Sequence, residues 1–225
     1  MCGRFALTTP HDAAAEHFAA APSGTLPPVP RYNICPTQPV AMIRSEPEGG
    51  RAMEAARWGF VPRWAKRPDD GPLLINARAE SIAEKPAFRD AARSRRCLIP
   101  ASGFYEWRAA EDGGKDPFWI APADDRPIAF AGVWTDWDGP EGRLRSCAIV
   151  TCAANAALAA IHHRMPVVIA PEDYALWLGE AGHGAARLMR PAPDALLVAR
   201  RVSRAVNAAR ADGPDLIEPG AAEDR

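Results

Sequence analysis

The sequence predicts an α+β fold in a single compact domain. Three features carry this: six or more short runs of β-branched and aromatic residues at uneven spacing, three or four helical stretches without βαβα alternation, and no interior linker. A chain of 225 residues supports one self-sufficient core, and 48% hydrophobic with 24% charged residues is ordinary globular usage. The domain is expected to span 1–217, with 218–225 a disordered tail.

Residues 10–20, PHDAAAEHFAA, read as a helix with Pro10 near its start and with Phe18 and the alanines facing inward. The segment 20–30, rich in Pro, Gly and small residues, reads as a loop. Strand composition follows at 38–44 and 53–60. LLINARAE at 73–80 alternates with period two, which puts Asn76 and Arg78 on one side of an extended segment. RCLIPASGFYEW at 96–107 predicts a strand entering a turn at Gly103 and leaving it as another strand. FWIAP from 118, IAFAGVW from 128 and SCAIVTC from 146 are short buried strands. The Ala-rich stretch 152–162 predicts a helix, 165–169 a strand, and 171–180 a helix opened by Pro171. Beyond Asp212 the chain reads as a fraying end.

The net charge of −1 hides an asymmetry. Residues 1–110 carry a net +4 and residues 111–225 a net −5, so an anionic ligand is sought on the first half. Only Lys66, Lys85 and Lys115 are lysines, and arginine is the side chain that forks onto phosphate, although genome composition explains most of these arginines equally well. With no run of eighteen apolar residues and no signal-like start, a soluble cytoplasmic protein is expected. The five cysteines are odd in number and irregularly spaced, which fits reduced thiols, and Cys147 with Cys152 lacks the second pair a zinc site needs. Neither metal nor cofactor is expected.

Cys2 follows the initiator Met, and a small residue there favours Met removal. The mature chain then begins with an α-amine of pKa about 7.7 to 8.0 beside a thiol of pKa about 8.5. Such a 1,2-aminothiol condenses with an aldehyde to a Schiff base, and the adjacent sulfur closes a five-membered thiazolidine. Gly3 permits a tight backbone path if the terminus is tucked in. Asn76 and Arg78, with the tryptophans of RWGFVPRWAK nearby in sequence, fit a phosphate and a stacked base. Trp58 reads as core; Trp64 stands in a basic loop where either reading holds. Glu106 in SGFYEW is either a desolvated general acid and base or a strand carboxylate turned to water. IHHRMP at 161–166 places His162 and His163 at an element end, where one shuttles protons or is simply structural.

Taken together, MCGRF, RYNICPTQ, WGFVPRW, NARAE, RCLIPASGFYEW, FAGVW, IHHRMP and VSRAVN, in this order from Cys2 to about Ile217, resemble the SRAP family. The resemblance implies a core of curved mixed and antiparallel sheets forming a barrel-like body flanked by several helices. It also implies a sensor of abasic sites in single-stranded DNA, linked covalently through Cys2 as a thiazolidine, acting as a monomer and nucleoid-associated when bound. By motif, Cys2 is the nucleophile, Asn76 holds terminus and sugar, Glu106 is the acid and base, and His162 assists ring opening. Arg4, Asn33, Trp64 and Arg78 are implied DNA contacts. The chain departs from the family pattern at Cys35 and at His163, which stands where an Asp is usual. Lyase activity at the Schiff base, an N-terminal cysteine peptidase and a non-catalytic single-strand binder are the competing readings.

Overall fold

The computed structural model describes residues 2–124, 126–140 and 142–220. The first half contains β1 (Phe5–Leu7), α1 (His11–His17), β2 (Ala21–Pro22), β3 (Arg31–Ile34), β4 (Pro39–Ser45), β5 (Arg51–Trp58) and β6 (Asn76–Arg78). There follow α2 (Arg89–Ser94), β7 (Arg96–Ala101), β8 (Gly103–Ala109), β9 (Lys115–Pro122), β10 (Ile128–Gly139) and β11 (Gly142–Ala153). The last part holds β12 (Arg164–Pro166), β13 (Val168–Ile169), α3 (Tyr174–Leu178) and β14 (Leu197–Arg201), with short 3-10 turns at 171–173, 185–188, 204–207 and 214–216.

Five strands close into a barrel. The ladder runs β11, β10, β7, β4, β5, and β5 returns to β11 through a parallel pairing of Arg57 with Ser146 and Trp58 with Cys147. Closure leaves this part of the sheet with no open edge, and β2, β6, β12 and β13 attach to its rim. A second sheet, ordered β14, β9, β8, β1, β3, packs beside it. Phe5 of β1 stitches the two together, edge-on to Trp58 at 5.1 Å and to Phe130 at 5.8 Å. Burying aromatic rings of this size contributes about 1.5 to 3 kcal/mol each, so the seam beside the N-terminus is a firmly packed place.

The expected α+β class and barrel core agree with this architecture, and the helices flanking it are short. Several boundaries are corrected. The chain does not turn at a strained glycine at position 103; it passes from β7 to β8 through Ser102, and Gly103 is small because a Cβ there meets Trp119 at 2.5 Å and the Ile120 carbonyl oxygen at 2.6 Å. The helix expected over 152–162 is absent: β11 runs to Ala153, and Asn155 then directs a series of turns. Its Oδ1 accepts from the Leu158 amide, and its Nδ2 donates to the Ala192 carbonyl. The helix expected over 171–180 is a 3-10 turn followed by α3, stopped by Gly179 in the left-handed region at φ 90°. The loop over 20–30 includes β2, which pairs with β5. After Asp212 the chain does not fray at once: Leu216 is 1% exposed, and Pro219 bridges Val202. Of the tail expected over 218–225, residues 221–225 lie outside the described residues.

Candidate active site

The site forms where the two sheets meet. Cys2 lies just before β1 and is buried; burial pushes its thiol pKa up, and the Glu106 charge adds to that. From the barrel side, β6 lies parallel to β11 with Asn76 opposite Ile149. This puts the Asn76 Nδ2 2.9 Å from the Cys2 carbonyl, to which it donates. The Asn76 Oδ1 is buried and has no hydrogen-bond partner among the described residues.

From the second sheet, β8 supplies Glu106, paired across the ladder with Phe118. The alternative of a carboxylate turned to water is removed: Glu106 is 3% exposed, and burial raises its pKa against the pull of the amino-terminal charge. His162, in the turn before β12, stands with Nδ1 3.9 Å from Glu106 Oε1. The Arg164 amide lies 3.0 Å from His162 Nδ1 and donates to it in the tautomer that carries its proton on Nε2; in the other tautomer Nδ1 donates to the Arg164 carbonyl and Nε2 is the free base. The Arg164 carbonyl, 3.1 Å from the same nitrogen, is in place to accept when the ring becomes charged. Partial burial is the main cause of the lowered His162 pKa. His163 stacks on it with ring centroids 4.4 Å apart, and its own pKa is lowered chiefly by the charge of His162. Two groups thus have their pKa values drawn toward one another, the usual preparation for proton transfer near neutrality.

An open pocket of about 530 Å³ lies against these groups, lined by Arg4, Glu106, Trp107, Lys115, His162 and Asn207. Arg4 reaches it with its guanidinium 5.8 Å from the Trp107 ring, and its Nη1 donates to Asn33 Oδ1 at 2.8 Å and to the Val206 carbonyl at 2.9 Å.

Cys2, the buried Glu106 carboxylate and the His162 imidazole lie close together at the seam of the two sheets, and the match of a whole-family profile decides the lineage. The profile described as SOS response associated peptidase (SRAP) matches residues 1–209. The chain belongs to the SRAP family. Within reach of it are the abasic site processing protein YoqW of Bacillus subtilis, 37% identical over 97% of this chain and 99% of that one, and the abasic site processing protein YedK of Escherichia coli, 32% identical over 97% and 100%. A crystal structure of a protein from Bacteroides thetaiotaomicron superposes with a TM-score of 0.85 at 22% identity, covering 98% of this chain and 100% of that one, which speaks to the SRAP fold alone.

Of the eight residues singled out by sequence, Cys2, Asn76, Glu106, His162 and Arg4 come together here. Arg78 shares β6 with Asn76 and is exposed. Trp64 is 71% exposed in the loop after β5, while Trp58 is core, its Nε1 donating to the Ile75 carbonyl. Asn33 is not on the surface: it is 5% exposed, and its Nδ2 donates to the Ala208 and Ala211 carbonyls while its Oδ1 holds Arg4. Its place is behind Arg4, and a direct DNA contact does not fit. Sequence reading missed Trp107, Lys115 and Asn207. The signals were present: Trp107 adjoins Glu106, Asn207 closes the VSRAVN motif, and Lys115 is one of only three lysines.

Proposed function

We propose that this chain captures abasic sites in single-stranded DNA by forming a thiazolidine between Cys2, exposed by removal of Met1, and the C1′ aldehyde of the ring-opened sugar. The observation that carries the reading is the hold of Asn76 on the Cys2 carbonyl at 2.9 Å, which fixes the N-terminus beside Glu106 and His162. A peptidase needs an activated thiolate, and the thiol here is held in its neutral form by burial. An aminothiol reacts through its amine first, so a neutral thiol is no obstacle.

In the first step His162 takes the proton of the sugar's anomeric hydroxyl as the C1′–O4′ bond breaks, and gives it to O4′, which leaves as the free 4′-hydroxyl of the open-chain aldehyde. The free amine of Cys2 then adds to C1′ to give a carbinolamine. Protonated Glu106, whose pKa burial raises, gives its proton to the departing hydroxyl, and water leaves with formation of the C=N bond. The Cys2 sulfur adds to the imine carbon, its proton passes to the nitrogen by way of Glu106, and the ring closes. One aldehyde, one amine and one thiol yield one thiazolidine and one water. The unfilled Oδ1 of Asn76 accepts from a sugar hydroxyl, while the exposed Arg78 faces a phosphate and Trp64 offers a stacking surface.

The test is a denaturing gel of protein incubated with an oligonucleotide bearing one abasic site, without borohydride, beside an intact strand. A shifted band confined to the abasic strand and lost in Cys2→Ala is the expected result. A band that survives in Cys2→Ala overturns the assignment, and one that requires reductant assigns a transient lyase in its place.

A further inference from the structure

We propose that Lys115 binds a phosphate flanking the abasic sugar and so positions the strand in this site. The inference rests on the abasic-site reading above and extends it to the path of the strand. Lys115 opens β9 and lines the pocket that holds Glu106 and His162. Its side chain forms no hydrogen bond or ion pair among the described residues, although acids surround it in sequence. Asp112 is engaged by Arg204 Nη1 at 2.8 Å, and Asp116 by Arg201 at 2.9 Å and Arg204 at 3.0 Å.

Those ion pairs do two things at once. They draw the 204–207 turn against β9, where Asn207 Oδ1 accepts from Trp107 Nε1 at 2.7 Å and completes the pocket wall. They also use up the carboxylates that would otherwise neutralise Lys115. The other cation of the pocket, Arg4, is committed to Asn33 and Val206. Lys115 is therefore the cation of this pocket left for an anion, and its charge reaches far enough to act on His162.

The fold gives this a direction. Arg78, whose side chain is likewise without a hydrogen bond or ion pair among the described residues, belongs to the barrel through β6; Lys115 belongs to the second sheet through β9; Cys2 lies at the seam between them. A strand crossing the seam with its abasic sugar at Cys2 meets one basic side chain from each sheet, and so has a phosphate contact on either side of the missing base.

The probe is a single-stranded oligonucleotide with a tetrahydrofuran residue, which has no aldehyde and binds without crosslinking, read by fluorescence anisotropy. Each phosphate flanking the tetrahydrofuran is replaced in turn by an uncharged methylphosphonate. Lys115→Ala is expected to weaken binding about fivefold to tenfold and to reduce the salt slope by about 0.7. One methylphosphonate that weakens the wild type should have no further effect in Lys115→Ala, and Lys115→Arg should restore both affinity and that sensitivity. Unchanged affinity and salt slope in Lys115→Ala overturn the proposal, as does equal sensitivity of both proteins at every position. Unchanged affinity with a displaced pH profile for crosslinking also overturns it, because Lys115 then acts through His162. The abasic-site reading fails separately, by absence of any wild-type crosslink to a true abasic strand.

Discussion

Each sheet buries one prominent carboxylate to nearly the same depth, Asp136 in the barrel at 5% exposure and Glu106 in the second sheet at 3%, yet the two are driven in opposite directions. Burial pushes both pKa values up. At Asp136 it is outweighed by Arg145, which donates from Nε at 2.8 Å and from Nη2 at 2.9 Å, and by Arg143, so its carboxyl is held low. Arg145 also pairs with Glu54, which pairs with Arg44, and Trp134 lies between the two guanidiniums at 4.8 and 5.5 Å. Glu106 instead faces His162, whose charge is exchangeable, and burial keeps its pKa raised. Depth of burial does not separate a structural carboxylate from a chemical one. The separation lies in whether the opposing charge is permanent, as on arginine, or exchangeable, as on imidazole and amine.

The sharpest break in this comparison is to neutralise each carboxylate in turn. Glu106→Gln should slow thiazolidine formation by at least about 100-fold, the ordinary worth of a general acid and base, while the fold persists. Asp136→Asn should do the reverse: crosslinking per folded molecule is unchanged, and urea denaturation shows a loss of about 2 to 3 kcal/mol. That is somewhat below the figure for a fully buried pair, because Arg143 is largely exposed. If both variants lose only stability, the distinction between the two carboxylates collapses.

The same contrast is expected along the pH axis. Asp136, with its folded pKa below the unfolded one, contributes stability that is present above the unfolded carboxyl pKa and lost as pH falls through the lower folded value. Glu106, with its folded pKa raised, has the opposite sign: the fold gains stability when it is protonated and loses that gain as pH rises from the unfolded to the folded pKa. Urea midpoints against pH for the two variants should therefore diverge from the wild type with opposite slopes. Crosslinking rates of the wild type and of Asp136→Asn should fall as pH rises through a value above the ordinary carboxyl range, where Glu106 loses its proton, and this limb should vanish in Glu106→Gln.

Smaller effects test the seam and the surface. Gly103→Ala inserts a methyl against Trp119 and the Ile120 carbonyl and should cost about 1 to 3 kcal/mol by denaturant unfolding. Trp64→Ala should leave stability within about 0.5 kcal/mol while weakening single-strand binding by about 1 kcal/mol or more, as measured by anisotropy.

The barrel strands were legible because each is an uninterrupted apolar or alternating run, as in IAFAGVW and SCAIVTC. Their closure was not, since β5 meets β11 across some ninety residues of chain and no local pattern records a parallel pairing at that distance. β1, β3 and β14 are three to five residues long, too short for periodicity to show. Alanine content pointed to a helix after Cys152, and a single side chain, Asn155, imposed turns instead. In the site, Cys2 and Glu106 were visible as residue types with two readings each, and only burial chose between those of Glu106. Asn33 shows the converse: a motif position that reads as a ligand contact is the support behind Arg4.

The N-terminal strand is gripped by the far end of the chain. Arg4 donates to the Val206 carbonyl, 202 positions further along the chain, Asn33 holds Ala208 and Ala211, and the Tyr32 amide donates to Asp212. During synthesis Cys2 is made 205 residues before Asn207. The barrel can close on its own residues while the ribosome still holds the segment that finishes the pocket. The pocket wall that Asn207 completes beside Trp107 is therefore a late product of folding, present only once the 204–212 segment has docked on the N-terminal strand.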